Sequence, residues 1–327
     1  MKQVIKIKFT DFWIDLNPSN NVLYNTLSQV YDLQLSDDPD VVIYSVEGYD
    51  HLNYSCTRIF FTGENQTPDF NICDYALGFH HINFGDRYFR LPLYFLYDGC
   101  FPKALSKHKD VDQTIREKTE FCNFVYSNKN ADPKRETFYY ELSKYKPILS
   151  GGRHLNNIGG PVENKEDLQR TTKFSIAFEN SSTPGYTTEK IVQAFSGKTI
   201  PIYWGDPQIA EQFDSRSFIN CHDFKDFDAV IEHVKKVDQS EELYREYMGT
   251  PIDMGEGDME DRIRQEFLGF IKPIFSALEK GEAGRRNVHY WGAKYEQRLN
   301  SLLKKSKSGK DAPTSLTYRV LRKIFSW

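Results

Sequence analysis

The chain has 327 residues, 39% apolar and 27% charged, enough for two soluble domains that each bury a core. Its formal net charge of −4 excludes a global attraction to nucleic acid, so any polyanion must be bound locally. Five cysteines, an odd number without CxxC spacing, argue against a disulfide framework and a zinc site, and for a reducing, cytoplasmic setting.

The N-terminal run MKQVIKIKFTDFW is too short for a signal peptide, and no stretch approaches the roughly 20 apolar residues of a membrane helix. Residues 3–9 read as a strand, followed by a helical pattern at Val22, Leu23, Leu27 and Val30. Further strands are expected over 40–46, 58–62 and 75–79. Residues 102–118 are charged and sparsely apolar and read as a linker. A second series follows: a strand at 121–126, a helix opened by Asp132-Pro133 and running to about 144, and a strand at 147–149. The pairs Gly151-Gly152 and Gly159-Gly160 bracket an expected flexible loop. Then come a strand at 174–178, a helix over 187–195 and a strand at 199–203. Strands separated by helices imply parallel βαβ units, hence two α/β domains with a cleft between them. MGEGDMED, near 254–261, is a mobile-loop expectation.

Residues 304–327 carry seven Lys or Arg against one acid, Asp311. Leu316, Val320 and Ile324 recur every four residues, with Arg319, Arg322 and Lys323 opposite. This is the pattern of an amphipathic helix lying on an anionic membrane; the plainer alternative is a last helix packed on the body.

In parallel α/β folds ligands collect at the carboxyl ends of strands, where helix N-termini favour anions. The segment FENSSTPGYTTEKI, 178–191, is such a strand-to-helix crossing. It gathers Asn180, Tyr186, Glu189 and Lys190: an amide, a phenol, a carboxylate and an ammonium. Lys190 suits a phosphate, and Glu189 suits hydroxyls or a developing positive charge. The plain alternative for both is a solvated helix face. Arg135, in the helix after strand 121–126, is either a surface cation or a second phosphate contact, for which a guanidinium fork is well shaped. Glu64, just past the strand 58–62, is either a turn residue in water or a general base at the cleft edge. No Walker loop, GxSxG or HExxH occurs, and the DxD triplets at 38–40, 110–112 and 226–228 read as acidic loops.

At these residues the sequence resembles the bacterial α-1,3-fucosyltransferases, family 10 of the glycosyltransferases. The likeness covers most of residues 1–230 and is carried by FFTGEN (60–65), DRYFRLPLY (86–94), DPKRETFYYEL (132–142), FSIAFEN (174–180), GYTTEKI (185–191) and TIPIYWGDP (199–207). GYTTEKI followed closely by IPIYWG is the specific pair. The resemblance implies a GT-B fold, two Rossmann-like parallel α/β domains facing across a cleft. The domains would span 1–115 (acceptor side) and 116–303 (donor side), with 304–327 as a basic tail. It further implies GDP-fucose as donor, a galactosyl-N-acetylglucosamine acceptor, inversion at the anomeric carbon and a Lewis x-type product. Carried over by position, Glu64 resembles the family's base, and Arg135 and Lys190 its phosphate-binding cations. Asn180, Tyr186 and Glu189 resemble its donor-binding residues, with Glu189 placed to stabilise the reacting ring. Trp13, in DFW, resembles an aromatic position on the acceptor side.

A divalent cation, Mn2+ or Mg2+, is compatible with a diphosphate donor and needs no protein ligand set. Expected partners are the donor, the acceptor glycan and, through the tail, an anionic membrane at the cytoplasmic face. Heptad repeats seen in some relatives are absent, and residues 235–300 match poorly. Two rivals remain: a transferase using another nucleotide sugar, and a non-catalytic sugar-nucleotide or glycan-binding module. A nucleic-acid reading of the basic tail lacks aromatic residues interleaved in the cationic run beyond Tyr318.

Overall fold

The computed structural model describes residues 2–96, 100–253, 255, 259–286 and 290–307. The first half builds β1 (Val4–Thr10), α1 (Val22–Ser28), β2 (Asp32–Leu35), β3 (Val41–Tyr44), β4 (Thr57–Phe61), β5 (Tyr75–Gly78) and β6 (Tyr88–Arg90). All pairings are parallel, in the order β2-β1-β3-β4-β5-β6. β3 and β4 are buried along their whole length, as central strands covered on both faces must be, so their sequences are apolar runs rather than alternations. α1 starts where the Asn21 side chain accepts the Tyr24 N–H.

Two helices, α2 (Cys100–Leu105) and α3 (Val111–Glu117), lead to the second half. There β7 (Glu120–Phe124), α4 (Lys134–Ser143), β8 (Ile148–Ser150), α5 (Lys165–Thr171), β9 (Thr172–Phe178), α6 (Glu189–Ser196), β10 (Ile200–Trp204) and β11 (Ile219–Asn220) follow in turn. This sheet is also parallel, in the order β8-β7-β9-β10-β11. Both sheets thus share one winding. The strand order reverses at a switch point in each sheet, between β1 and β3 in the first domain and between β7 and β9 in the second, where crevices for ligands open. The helices α7 (Phe227–Gln239), α8 (Glu241–Gly249), α9 (Met259–Glu279) and α10 (Tyr290–Lys307) close the described chain. None of the described helices is long and apolar enough to cross a membrane.

Three expectations change. The 102–118 stretch is not a bare linker: Phe101 and Ala104 are buried with Ile191, Val192 and Phe195 of α6. Few apolar residues suffice because Lys107, fully buried, ties this stretch down by donating to the Ser217 and Tyr247 carbonyls at 3.1 and 2.6 Å. The glycine-bracketed loop is held by Asn156, whose side-chain amide donates to the carbonyls of Gly152 and Gly160, both at 2.8 Å. The segment 116–303 is not packed as one domain. Phe267, Ile271, Ile274 and Phe275 of α9 bury against Ile5, Ile7, Leu27 and Tyr31 of the first. Its apolar stripe thereby covers the first sheet, and Glu296 of α10 pairs with buried Arg58 at 2.9 Å. The tail beyond residue 307 and residues 254 and 256–258 of the expected loop at 254–261 lie outside the described residues, and residues 259–261 of that stretch open α9.

Candidate active site

The second switch point is built from the ends of β7 and β9. β7 leads to Tyr126, whose buried hydroxyl accepts the Phe178 N–H at 2.7 Å and lies 2.9 Å from the Ile176 carbonyl. Across the Tyr126 ring, 4.2 Å from its centroid, lies the Arg135 guanidinium from the first turn of α4. Arg135 is 1% exposed, so the surface-cation reading fails. It donates to Asn180 Oδ1 at 3.1 Å and to the Asn128 carbonyl at 2.5 Å, while its Nε is buried without a partner. A cation so ordered by stacking and two acceptors is preorganised for an anion.

Glu179, directly after β9, is fully buried. Its carboxylate accepts the Thr188 N–H at 2.7 Å, the Thr188 hydroxyl at 2.6 Å and Lys190 Nζ at 3.1 Å. Burial pushes the Glu179 carboxyl up, against the pull of Lys190. Burial would lower Lys190, but Glu179 and Glu189 outweigh it and hold the ammonium charged. α6 therefore begins at Glu189, two residues later than its sequence pattern predicts, because Thr188 spends its N–H and hydroxyl on Glu179. Glu189 stays below the ordinary carboxylate range: burial raises it, and Lys190 and Lys165 overcome that. Lys165 is pushed down to about 8, chiefly by burial.

Buried Asp206 fixes the intervening loop, accepting from Gly185 N–H at 2.8 Å, the Thr187 hydroxyl at 3.1 Å and Gln212 at 2.8 Å. Gly185 has φ +89°, and a β-carbon there would lie 2.1 Å from the Phe79 carbonyl. Only glycine lets this loop sit against the first domain. Tyr186 goes with it. Its ring is 1% exposed, 4.9 Å from Phe79, and belongs to the first domain's core, so it joins the domains with its phenol near Glu179, Lys190, Glu64 and Glu189. Asn65 adds a second tie, donating to Ser181 Oγ at 2.6 Å and Thr183 Oγ1 at 2.8 Å.

The first switch point faces this arrangement. A cavity of about 500 Å3 is lined by Phe12 and Trp13 after β1, Glu47 after β3, Phe61 and Glu64 at and beyond the end of β4, and Glu189 from the second domain. Glu64 is exposed, its N–H donating to Thr62 Oγ1 at 2.9 Å. Trp13 is 46% exposed and packs edge-on against Phe12, which stacks on Phe61. Glu64, Glu189 and Trp13 are thus brought together around one cavity, with Lys190 adjoining through Glu189 at 3.5 Å. Arg135 and Asn180 form a second cluster at the β7/β9 switch point. Among the described residues no group of three or more His, Cys, Asp or Glu is placed to hold a metal ion.

Sequence alone does not single out Glu179, Asp206, Tyr126, Lys165, Asn65 or Glu47 as site residues. Glu179 and Asp206 had a signal, since each is a carboxylate directly after an apolar strand run, in AFEN and YWGD. Lys165 and Glu47 had none, because their neighbours arrive from distant sequence.

The N-terminal domain of the α-(1,3)-fucosyltransferase FucT matches residues 7–97. The C-terminal domain of glycosyltransferase family 10 (fucosyltransferase) matches residues 115–249. The chain is 36% identical over 316 residues to the α-(1,3)-fucosyltransferase FucT of Helicobacter pylori, covering 83% of this chain and 66% of that one. It is 30% identical over 242 residues to α-(1,3)-fucosyltransferase B of Drosophila melanogaster, covering 66% of this chain and 54% of the relative. It therefore spans under two thirds of these curated relatives' lengths. A crystal structure of α1,3-fucosyltransferase with GDP-fucose superposes with a TM-score of 0.71 at 32% identity, over 84% of this chain and 91% of that one. One with GDP gives 0.73 at 31% identity, over 88% and 94%.

Proposed function

The chain belongs to glycosyltransferase family 10, the fucosyltransferases, with a GT-B fold, and from that premise we propose that it transfers L-fucose from GDP-fucose to the 3-hydroxyl of N-acetylglucosamine in galactosyl-N-acetylglucosamine acceptors, with inversion, giving a Lewis x-type product. The observation that carries the reading is the meeting of Glu64, Glu189 and Trp13 around one cavity beside Lys190.

Glu64 takes the proton of the acceptor hydroxyl as its oxygen bonds to fucose C1, on the face opposite the bond to GDP, which breaks. General-base help of this kind contributes about 10² to 10⁴ in rate. Arg135 and Lys190 hold the charge that gathers on the departing diphosphate, each worth about 3 kcal/mol by analogy with preorganised oxyanion donors. Glu189, kept ionised by Lys190 and Lys165, faces the positive charge of the oxocarbenium-like ring. Trp13 offers an apolar platform to an acceptor sugar.

Incubation with GDP-fucose and N-acetyllactosamine, followed by linkage analysis, tests this. One GDP released per α-1,3-linked fucose is expected. Equal turnover of GDP-mannose would favour another donor, and donor binding without transfer would favour a binding module. The basic segment 304–327 is proposed to hold the enzyme on anionic membrane at the cytoplasmic face. Truncation after Lys310 should release it from anionic vesicles without loss of transfer to soluble acceptors; equal vesicle binding would refute this.

A further inference from the structure

β1 and β3 pair as far as Thr10 and Tyr44, and beyond that register the two strands part to form the walls of the cavity. Phe12 and Trp13 come from one wall, Val46 and Glu47 from the other. What ties these walls together is Asp11. Its carbonyl accepts the Glu47 N–H at 2.9 Å. Its carboxylate accepts three more donors: the Asp50 N–H at 2.8 Å, the His51 N–H at 2.9 Å and His51 Nδ1 at 2.6 Å. Both side chains are 2% exposed.

The local geometry is tuned to this carboxylate. Asp11 sits at φ +59°, a left-handed conformation that side chains disfavour and that Asp tolerates better than most. Gly48 leaves it room, since a β-carbon there would lie 2.5 Å from Asp11 Oδ1. The His51 ring stacks on Tyr44 at 3.8 Å, and its Nε2 is buried without a partner. That assigns the proton of a neutral ring to Nδ1, pointing at Asp11. Burial, opposed by Asp11, lowers the His51 pKa and keeps the ring in that form.

We propose that Asp11 is a positioning residue for the acceptor: with His51 it clamps the two cavity walls in the spacing that presents Trp13 and Glu47 to the sugar opposite Glu64. The proposal rests on reading this cavity as the acceptor site. It places a polar clamp, with no contact to substrate of its own, at the β1/β3 switch point.

Hydrogen exchange and kinetics on the full chain test it together. In Asp11→Asn the amides of Glu47, Asp50 and His51 should exchange about tenfold faster, while peptides spanning 174–206 stay unchanged. The acceptor KM should rise about tenfold, with kcat at saturating acceptor and acceptor-free hydrolysis of GDP-fucose within about threefold of the parent. His51→Asn, whose amide can donate where Nδ1 does, should keep the acceptor KM within about threefold, whereas His51→Leu should raise it as Asp11→Asn does. Unchanged exchange in Asp11→Asn would overturn the clamp. So would faster exchange with an unaltered acceptor KM, or identical behaviour of the two His51 variants. A parent that hydrolyses GDP-fucose but uses no glycan would sink the acceptor reading instead, and the exchange arm judges the clamp without any acceptor.

Discussion

The two domains wind their strands in the same order, yet their switch points carry opposite chemistry. Between β7 and β9 the second domain presents two cations, buried Arg135 held by Asn180 and half-buried Lys190 held by buried Glu179. Between β1 and β3 the first presents aromatic rings and carboxylates, Trp13, Phe12, Glu47 and, from β4, Glu64. A shared fold therefore sets where ligands bind, and the side chains at the strand ends set what binds. In the proposed reading the cationic side takes the diphosphate and the aromatic side the neutral acceptor sugar. Glu189 crosses over, starting a helix of the second domain and lining the cavity of the first.

Substitutions that silence one side only are the way to break this division. The largest effect is expected at Glu64: Glu64→Gln should slow transfer by about 10² to 10⁴. Turnover within threefold of the parent would remove it from the base role. Next is Lys190→Ala, which should lower kcat/KM for GDP-fucose by about 10² to 10³ and also strand Glu179 as an unpaired buried carboxylate. Lys190→Arg keeps the charge and should recover part of the loss; no recovery would point to shape rather than charge. A smaller effect is expected of Trp13→Ala, about tenfold on acceptor KM with donor hydrolysis unaffected, as for loss of one stacking platform. An effect on donor KM instead would move Trp13 to the other side of the comparison.

The smallest effect is a displacement along pH. Glu189 has its pKa lowered by Lys190 and Lys165 against burial, so it stays ionised to lower pH than an ordinary glutamate. Removing the Lys165 charge raises that pKa, and activity requiring ionised Glu189 is then lost at higher pH as pH falls. Lys165→Met should therefore shift the acid limb of the kcat profile upward and leave the plateau near neutral pH little changed. An unmoved or downward-shifted limb would mean that Glu189 is not the group being read.

Much of the framework was legible because it is local. The parallel strands, the crossing at 178–191 and Glu64 are marked by apolar runs that stop at polar residues, whereas spacing alone leaves Arg135 and Lys190 open to a surface reading. Other parts depend on contacts distant in sequence. α2 looked like linker because its burial comes from α6 and from Lys107 reaching residues 110 and 140 positions away. α9 returns to the first sheet, which no local pattern announces. Tyr186 is legible as a residue at a helix entrance, but the sequence does not show that Gly185 brings its ring against Phe79 of the first domain. Glu179 was visible in FEN, yet its burial and its hold on Lys190 emerge only when β9 and α6 meet.

Calorimetric titration of GDP into the parent, Glu64→Gln and Lys190→Ala puts the division of labour to its most direct test. The account predicts an affinity for Glu64→Gln within about twofold of the parent and a loss of about tenfold or more for Lys190→Ala. Equal weakening in both variants, or full affinity in Lys190→Ala, would contradict it.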